Sequence, residues 1–331
     1  MTRPRALPLL AALLLPLAGR AGPPDEERKK SHAAAPSPRA AATYDFDADV
    51  SAELVDMAPP APAAGAEAGF ETVGVTAGGV RGIDLVRAQI EAGEVPKPAL
   101  ITAEGLLSEH DLPLRTGACD QLLCVRAETI DATLITEPAV HYIAQLGFAS
   151  DVDLATLRRP PLNVVVVIDQ STSMNGAPMR TAQAAARALA SQLRPDDQLS
   201  LLGFGVEPRV VSSPQPPNPG AFGVLVDGLV AHGATALERG LFAGFELARR
   251  SGQWFPGATR VVLITDDRPN VGRTTQGTFL ALARAAASRG VGLTTIGVGA
   301  QFDAPLAYAL SGVAGGNALY LRSPEHARAR L

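Results

Sequence analysis

The chain has 331 residues, of which 47% are hydrophobic and 19% are charged, a composition that suits a globular protein. This length accommodates one large domain with extensions, because a single hydrophobic core stops growing at a few hundred residues. The formal net charge of −4 argues against nucleic acid as a partner.

Residues 1–21 have the pattern of a secretory signal peptide. Arg3 and Arg5 precede an apolar run over 6–18, and small residues follow it. The run is short and interrupted by proline, which disfavours a membrane span; an uncleaved anchor is the alternative. Removal of the segment leaves 26 basic against 33 acidic residues, a net charge of −7. We expect an exported protein that is periplasmic, cell-surface or secreted, that can associate with the envelope and that forms no membrane-spanning pore.

Two further regions precede the most regular part of the chain. An Ala- and Pro-rich stretch over 22–69 has little to bury and is predicted to be a disordered linker. Residues 70–161 are predicted to form a smaller α/β or β-rich accessory region. In this region Ile83, Val86 and Ile90 lie near helical spacing, and two strand-like segments follow them.

Cys119 and Cys124 are the two cysteines of the chain, five residues apart. In an exported protein we expect them to form a local disulfide. A reduced pair or half of a metal site are the alternatives. The sequence offers neither a second Cys pair nor a nearby His cluster to complete a metal site, so the pair is interpreted as structural.

A regular alternation of apolar strands and helical stretches covers residues 162–331. The strand candidates are LNVVVVID, QLSLLGFG, RVVLITD, GLTTIGVG and ALYLR, and the helix candidates are PMRTAQAAARALASQL, ALERGLFAGFELARRS, TFLALARAAASR and APLAYALSGV. Strands that are apolar on both faces and separated by helices predict a mainly parallel sheet with helices on both faces. The region is therefore predicted to form a doubly wound, Rossmann-like α/β domain.

Oxygen-bearing side chains are concentrated in three loops of this predicted domain. Asp169, Ser171 and Ser173 follow the first strand, Thr235 precedes a helix, and Asp266 follows the strand RVVLIT. The loops at the carboxyl ends of parallel strands gather at one edge, and residues two apart in an extended loop point the same way. Carboxylate and hydroxyl oxygens favour a hard cation such as Mg²⁺, Mn²⁺ or Ca²⁺. The structural alternative is a set of polar turns whose side chains cap the following helices.

The segment DQSTS, followed by a distant Thr and a distant Asp, resembles the metal-ion-dependent adhesion site (MIDAS) of von Willebrand factor type A (VWA) domains. The phrases RVVLITDDRPNVG and GLTTIGVGAQFD are similar to later strands of that family. The resemblance implies that Ser171, Ser173 and Thr235 contact the metal directly, and that Asp169 and Asp266 reach it partly through water. It also implies that an Asp or Glu of a protein ligand completes the coordination.

The resemblance covers 162–331, and the preceding segments RAQIEAGEVPKPALITAEGLLSEHDLPL and LGFAS are similar to bacterial exported VWA proteins of the calcium-activated chloride-channel-like kind. Two positions depart from the family pattern. Asp267 stands where Gly usually follows the second metal Asp, and Thr172 stands at a position that is commonly Gly. Asp267 and His232 are expected to lie behind the ligands or at the rim of the site.

The function expected from the resemblance is non-enzymatic: metal-dependent binding of a protein partner for adhesion or complex assembly. A metal-dependent phosphoesterase is one alternative, because Mg²⁺ with Asp266 and Asp267 could activate water, although no acid or base partner is recognisable. A VWA domain that scaffolds other proteins without metal is another. The loop DQSTSMNGAP lacks the GxGxxG and GxxxxGKS patterns of nucleotide-binding loops and the GxSxG pattern of serine hydrolases.

Overall fold

The computed structural model describes residues 83–101, 119–133, 138–153, 158–266 and 269–331. The predicted signal peptide, the predicted linker and Asp267 lie outside these residues. No helix within the described residues is long and apolar enough to cross a membrane. The elements in chain order are α1 Asp84–Glu91, β1 Cys124–Asp131, β2 Tyr142–Ala149, β3 Leu162–Asp169, α2 Ala177–Ser191, β4 Gln198–Phe204, β5 Pro208–Gln215, α3 Pro219–Asp227, α4 Leu237–Gly252, β6 Ala258–Thr265, α5 Gln276–Ala287, β7 Val291–Val298, α6 Ala304–Ser311, β8 Asn317–Leu321 and α7 Pro324–Arg330.

A six-stranded sheet with the order β5-β4-β3-β6-β7-β8 forms the centre of the molecule. All neighbouring strands are parallel except β4 and β5, which are antiparallel at one edge. The strand order reverses at β3, because the chain passes to β4 on one side and returns to β6 on the other. The loops after β3 and β6 therefore meet at the switch point where doubly wound sheets bind ligands. The predicted doubly wound, mainly parallel fold is confirmed.

The central strands supply two cores, one on each face of the sheet. Every residue of β3 is buried. Val164 and Val166 pack in the core that contains α2, whereas Val165 and Val167 pack in the core that contains α4. Each buried aliphatic side chain contributes roughly 1.5–3 kcal/mol, so this run fixes β3 in the middle of the sheet. The three- and four-residue spacing of Met179, Ala182, Ala186, Leu189 and Leu193 predicts one face against the sheet. The first four are buried, whereas Leu193 lies after the end of α2 and is half-buried.

Helix α1, from the predicted accessory region, packs against the C-terminal part of the six-stranded domain. Leu85 is buried in one cluster with residues of the loop after β7 and of β8. The buried face of α1 consists of Leu85, Val86 and Gln89, while Ile90 is 60% exposed. Ile83, Val86 and Ile90, which lie near helical spacing in the sequence, therefore do not form one buried face, because a glutamine occupies the buried position four residues after Leu85.

Strands β1 and β2 form a separate antiparallel pair. One face of this pair exposes Val125, Tyr142, Leu146 and Phe148 to solvent. A disulfide joins Cys119 to Cys124, the first residue of β1. The disulfide thus closes a short loop at one end of the strand pair.

Candidate metal site at the carboxyl edge of the sheet

Asp169 ends β3 and is fully buried. The Thr265 hydroxyl, at the end of neighbouring β6, donates to Asp169 Oδ2 at 2.6 Å. The Ser171 backbone N–H donates to Asp169 Oδ1 at 2.8 Å. Because one carboxylate oxygen accepts from the end of β6 and the other from the loop after β3, the side chain is held in one orientation at the edge of the sheet.

Hydroxyls connect this loop to the next strand end. Ser171 Oγ lies 2.9 Å from Ser173 Oγ, and Ser173 Oγ donates to Asp266 Oδ1 at 3.0 Å. Ser171 and Asp266 are buried, whereas Ser173 is exposed. The structure therefore brings these three predicted residues together in a cluster that opens to solvent at Ser173.

The loop that carries Thr235 is attached to both neighbouring loops. The Thr172 backbone N–H and hydroxyl both donate to Gly233 O, at 3.0 and 2.8 Å. The Thr235 backbone N–H donates to Asn270 Oδ1 at 3.0 Å, in the loop after β6. Gly233 has a φ of 77°, a left-handed conformation that favours glycine. Thr235 itself is 1% exposed, on a loop fixed beside the other predicted ligands.

The helix-capping alternative does not describe these side chains. Ser171 precedes a single 3-10 turn, and its side chain makes no capping hydrogen bond to that turn. The N-cap of α2 is Gly176, and the N-cap of α4 is Ala236 rather than Thr235. Capping of the two following helices therefore does not explain the polar residues at these positions.

The donor set fits a hard divalent cation. Octahedral Mg²⁺ with ligand oxygens at 2.0–2.1 Å places adjacent oxygens about 3 Å apart. The separations from Ser171 Oγ to Ser173 Oγ, 2.9 Å, and from Ser173 Oγ to Asp266 Oδ1, 3.0 Å, match two edges of such an octahedron. Among the described residues no group of three His, Cys, Asp or Glu side chains is placed to hold a metal. A cation at this edge would therefore depend on hydroxyl ligands and would keep most of its positive charge.

His232 lines a cleft beside the cluster. The cleft has a volume of about 690 Å³ and lies between the β4–β5 turn and the loop around Gly233. Gln170 contributes to its wall, and the exposed Arg209 lies at its margin. His232 Nδ1 is 2.9 Å from Val230 O, within its own loop. His232 thus lies at the rim, next to the cluster but outside its hydrogen-bonded core.

Three residues with a structural part in this site were not identified from the sequence. Thr265 donates to Asp169, and Asn270 holds the backbone of Thr235. Gly299, after β7, has a φ of 76° and packs against Asp266. A threonine that ends a β-strand is ordinary, and a glycine between two elements is typical of any turn. Only Asn270 could have been recognised from the sequence, because its segment RPNVG contains the Pro, Asn and Gly that are typical of structured turns.

The fold and the oxygen cluster define a doubly wound α/β domain with a polar site at its switch point. The family model for the von Willebrand factor type A domain matches residues 164–268, which supports assignment of this part of the chain to that family. Domains of this family are often protein-interaction modules. The uncharacterized protein sll0103 of Synechocystis sp. is 29% identical over 209 residues, which cover 63% of this chain and 48% of that protein. The chain spans about half the length of this curated relative.

Three solved structures that are similar to this chain illustrate the comparison. The von Willebrand factor type A protein of Catenulispora acidiphila is 17% identical, covering 66% of this chain and 50% of that one, with a TM-score of 0.43. Proximal thread matrix protein 1 of the mussel byssus, with a zinc-occupied MIDAS motif, is 17% identical, covering 51% and 46%, with a TM-score of 0.43. BatB of Bacteroides thetaiotaomicron is 16% identical, covering 50% and 93%, with a TM-score of 0.42.

Proposed function

We propose that this chain is an exported binding protein whose VWA domain holds a divalent cation and, through it, an acidic side chain of a protein partner. Mg²⁺, Mn²⁺ or Ca²⁺ would be bound by Ser171, Ser173 and Thr235, with Asp169 and Asp266 completing the set partly through water. The bound ion would supply an electrophilic centre for a carboxylate. The role proposed for the domain is recognition rather than catalysis.

The observation that carries this proposal is the convergence of hydroxyl and carboxylate oxygens from the loops after β3 and β6. Two of their separations, 2.9 and 3.0 Å, suit adjacent ligands of one small cation. The proposed direct ligands are neutral hydroxyls and the two carboxylates act partly through water, so a bound divalent ion would keep most of its positive charge. The exposed Ser173 leaves one side of the cluster accessible to an incoming Asp or Glu.

The proposal is tested by titrating the purified protein with Mg²⁺ and Mn²⁺ in a calorimeter, together with its Asp169→Ala variant. We expect the parent protein to bind one ion at a saturable site and the variant to bind none. The ion should also raise the free energy of unfolding by about 2.7 kcal/mol when its concentration is 100 times the dissociation constant.

Asp227→Ala provides the matched control. Asp227 is an exposed carboxylate at the end of α3 that pairs with Arg187 of α2 and is not one of the proposed ligands. This control should bind the ion as the parent protein does. A parent protein without saturable binding, or an Asp169→Ala variant with unchanged affinity, would refute the proposed site.

The partner is sought by pull-down from native envelope and secreted fractions, with and without a chelator. The proposal predicts a protein that is captured with Mg²⁺ and released by the chelator and by Asp169→Ala. Partner binding that survives both treatments would favour the metal-free scaffold. Metal-dependent turnover in a general phosphoesterase screen, abolished by Asp169→Ala, would favour the enzymatic alternative.

A further inference from the structure

Helix α1 is anchored on the loop between β7 and α6, residues 299–303, which we call the back loop. Leu85 is 1% exposed and shares a buried cluster with Phe302 of the back loop and Tyr320 of β8. The rings of Phe302 and Tyr320 lie 5.9 Å apart between centroids. The helix, the back loop and β8 thus form one packed unit.

Two side-chain hydrogen bonds hold the backbone of the back loop. Gln89 Nε2, on α1, donates to Ala300 O at 3.1 Å. The Tyr320 hydroxyl donates to Gly299 O at 2.9 Å. Gln89 is 8% exposed and Tyr320 is 5% exposed, so water competes poorly for either carbonyl.

Burial of the Gln89 side chain has a free-energy cost, and the hydrogen bond that Gln89 donates offsets it. Its Oε1 atom is buried and has no hydrogen-bond partner among the described residues. An unsatisfied buried acceptor costs about 1–3 kcal/mol, whereas an apolar side chain of similar size would avoid this cost. The favourable polar interaction at this position is therefore the bond to Ala300 O.

The back loop in turn touches a predicted metal ligand. A Cβ atom added to Gly299 would lie 3.2 Å from Asp266 Cβ and 3.1 Å from Pro178 Cγ. The backbone at Gly299 is therefore packed against Asp266 on one side. It also packs against the first turn of α2, which follows the serine loop, on the other side. A displaced back loop would leave Asp266 without its support.

We infer that α1 is a clamp that sets the position of Asp266, with Gln89 and Tyr320 as positioning residues acting through the back loop. The inference rests on the proposed metal site, because the expected consequence is that metal affinity depends on docked α1. Residues behind metal ligands typically change affinity 10–100-fold when removed. Since Gln89 and Tyr320 act one layer further out, we expect a loss of about 3–10-fold for each.

The test uses Gln89→Met and Tyr320→Phe in the full chain. Each variant keeps the bulk of the side chain and removes the donor to the back loop. We expect Mg²⁺ and Mn²⁺ affinity, measured by calorimetry, to fall about 3–10-fold. We also expect faster hydrogen exchange of the amides of 299–303 in chelator, where no metal contributes. The second readout reports on the clamp without requiring a metal.

Asn163→Leu is the matched control. Asn163 is also a buried amide whose Oδ1 lacks a partner within the described part of the chain, and its Nδ2 donates to Ala248 O of a neighbouring helix at 3.4 Å. It lies six residues before Asp169 on β3, about 20 Å away along the strand. This variant should lose stability without any change in metal affinity or in exchange at 299–303.

The outcomes separate the clamp from the metal site. Parent-like affinity and exchange in both clamp variants would overturn the clamp and leave the metal site intact. An equal loss of affinity in Asn163→Leu would also overturn it, because general destabilisation would then be the cause. If the parent protein binds no metal, the proposed function fails, and unchanged exchange at 299–303 would then overturn the clamp independently.

Discussion

At the scale of single residues, Asp197 fastens the amino end of the strand that carries the site. Both of its carboxylate oxygens accept from the Arg159 guanidinium, at 2.6 and 2.5 Å. The backbone N–H groups of Leu162 and Arg194 donate to the same carboxylate, at 2.8 and 2.6 Å. Burial alone raises the pKa of Asp197, but the hydrogen bonds from Arg159 and the two backbone groups outweigh it and hold the pKa below its ordinary value.

We predict that Asp197→Asn lowers the free energy of unfolding at pH 7 by about 3 kcal/mol, because it leaves the buried end of Arg159 without its counter-charge. A carboxylate with a lowered pKa stabilises the fold above its unfolded pKa, about 3.9, and this stabilisation is lost as the pH falls through the folded pKa. The deficit of the variant should therefore shrink below about pH 4. Urea unfolding at pH 7 and pH 3 measures both effects.

Asp196→Asn is the control for this prediction. Asp196 is exposed and adjacent, so its replacement should have little effect at either pH. A deficit of Asp197→Asn that is the same at pH 7 and pH 3 would show that shape rather than charge determines its contribution.

At the scale of elements, α4 lies close to the sheet because a glycine faces β4. A Cβ atom at Gly240 would lie 2.6 Å from Phe204 Cγ, and the Phe204 ring is almost completely buried. Phe204 ends β4, and its carbonyl accepts from the backbone N–H of Gln170 at 2.6 Å. The contact between α4 and β4 is thus linked directly to the loop that contains the serines of the candidate site.

We predict that Gly240→Ala lowers the free energy of unfolding by about 1–3 kcal/mol, because the overpacked Phe204 ring must move. This loss should appear although alanine favours the helix by about 1 kcal/mol over glycine. Gly277→Ala in α5 is the control, since nothing lies within 4 Å of a Cβ added there. Urea unfolding should show no loss for Gly277→Ala, and equal stability of the two variants would contradict the prediction.

The elements predicted from the sequence were those with continuous apolar runs. All five parallel strands were predicted within two residues of their bounds, because strands buried on both faces are apolar at every position. Strand β5, PRVVSSPQ, was missed because an edge strand with two prolines and two serines lacks that pattern. Helices α3 and α7 were missed although each begins with a capping side chain followed by proline, Asn218-Pro219 and Ser323-Pro324.

Strand ends made only the carboxylates of the candidate site predictable, whereas Ser171, Ser173 and Thr235 were predicted from their loop positions and from the resemblance to the MIDAS pattern. Asp169 and Asp266 could be placed at one edge, because parallel strands end together. The support from Thr265, Gln89 and Gly299 could not be predicted, since it depends on contacts between residues far apart in the sequence. Tertiary packing alone brings such residues together, and no local pattern reports it.

At the scale of the whole molecule, the β1–β2 pair forms a sheet that is separate from the six-stranded sheet. Within the described residues, its strands pair only with each other. A two-stranded pair is marginally stable by itself, so the nearby Cys119–Cys124 disulfide has more influence there than in a large core. The Ser150 hydroxyl donates to Leu122 O at 2.6 Å, which joins the disulfide loop to the end of β2.

We predict that the double substitution Cys119→Ser and Cys124→Ser destabilises this pair by about 2 kcal/mol, the value expected for a short closed loop. Amide exchange should become faster across β1 and β2. Exchange in β3 and β6, and the affinity for Mg²⁺, should stay as in the parent protein. Loss of metal affinity in the double variant would show that the strand pair supports the candidate site, contrary to this prediction.

The form of β5 has a consequence for the protein at high concentration. Pairing between β4 and β5 contains two register shifts, and β5 includes Pro208 and Pro214. Prolines and bulges at an outer strand remove donors and bend the backbone away from a straight template. The β5 edge, which borders the His232 cleft, is therefore a poor template for pairing with a strand of another molecule. At high concentration the protein should not form fibres through this edge.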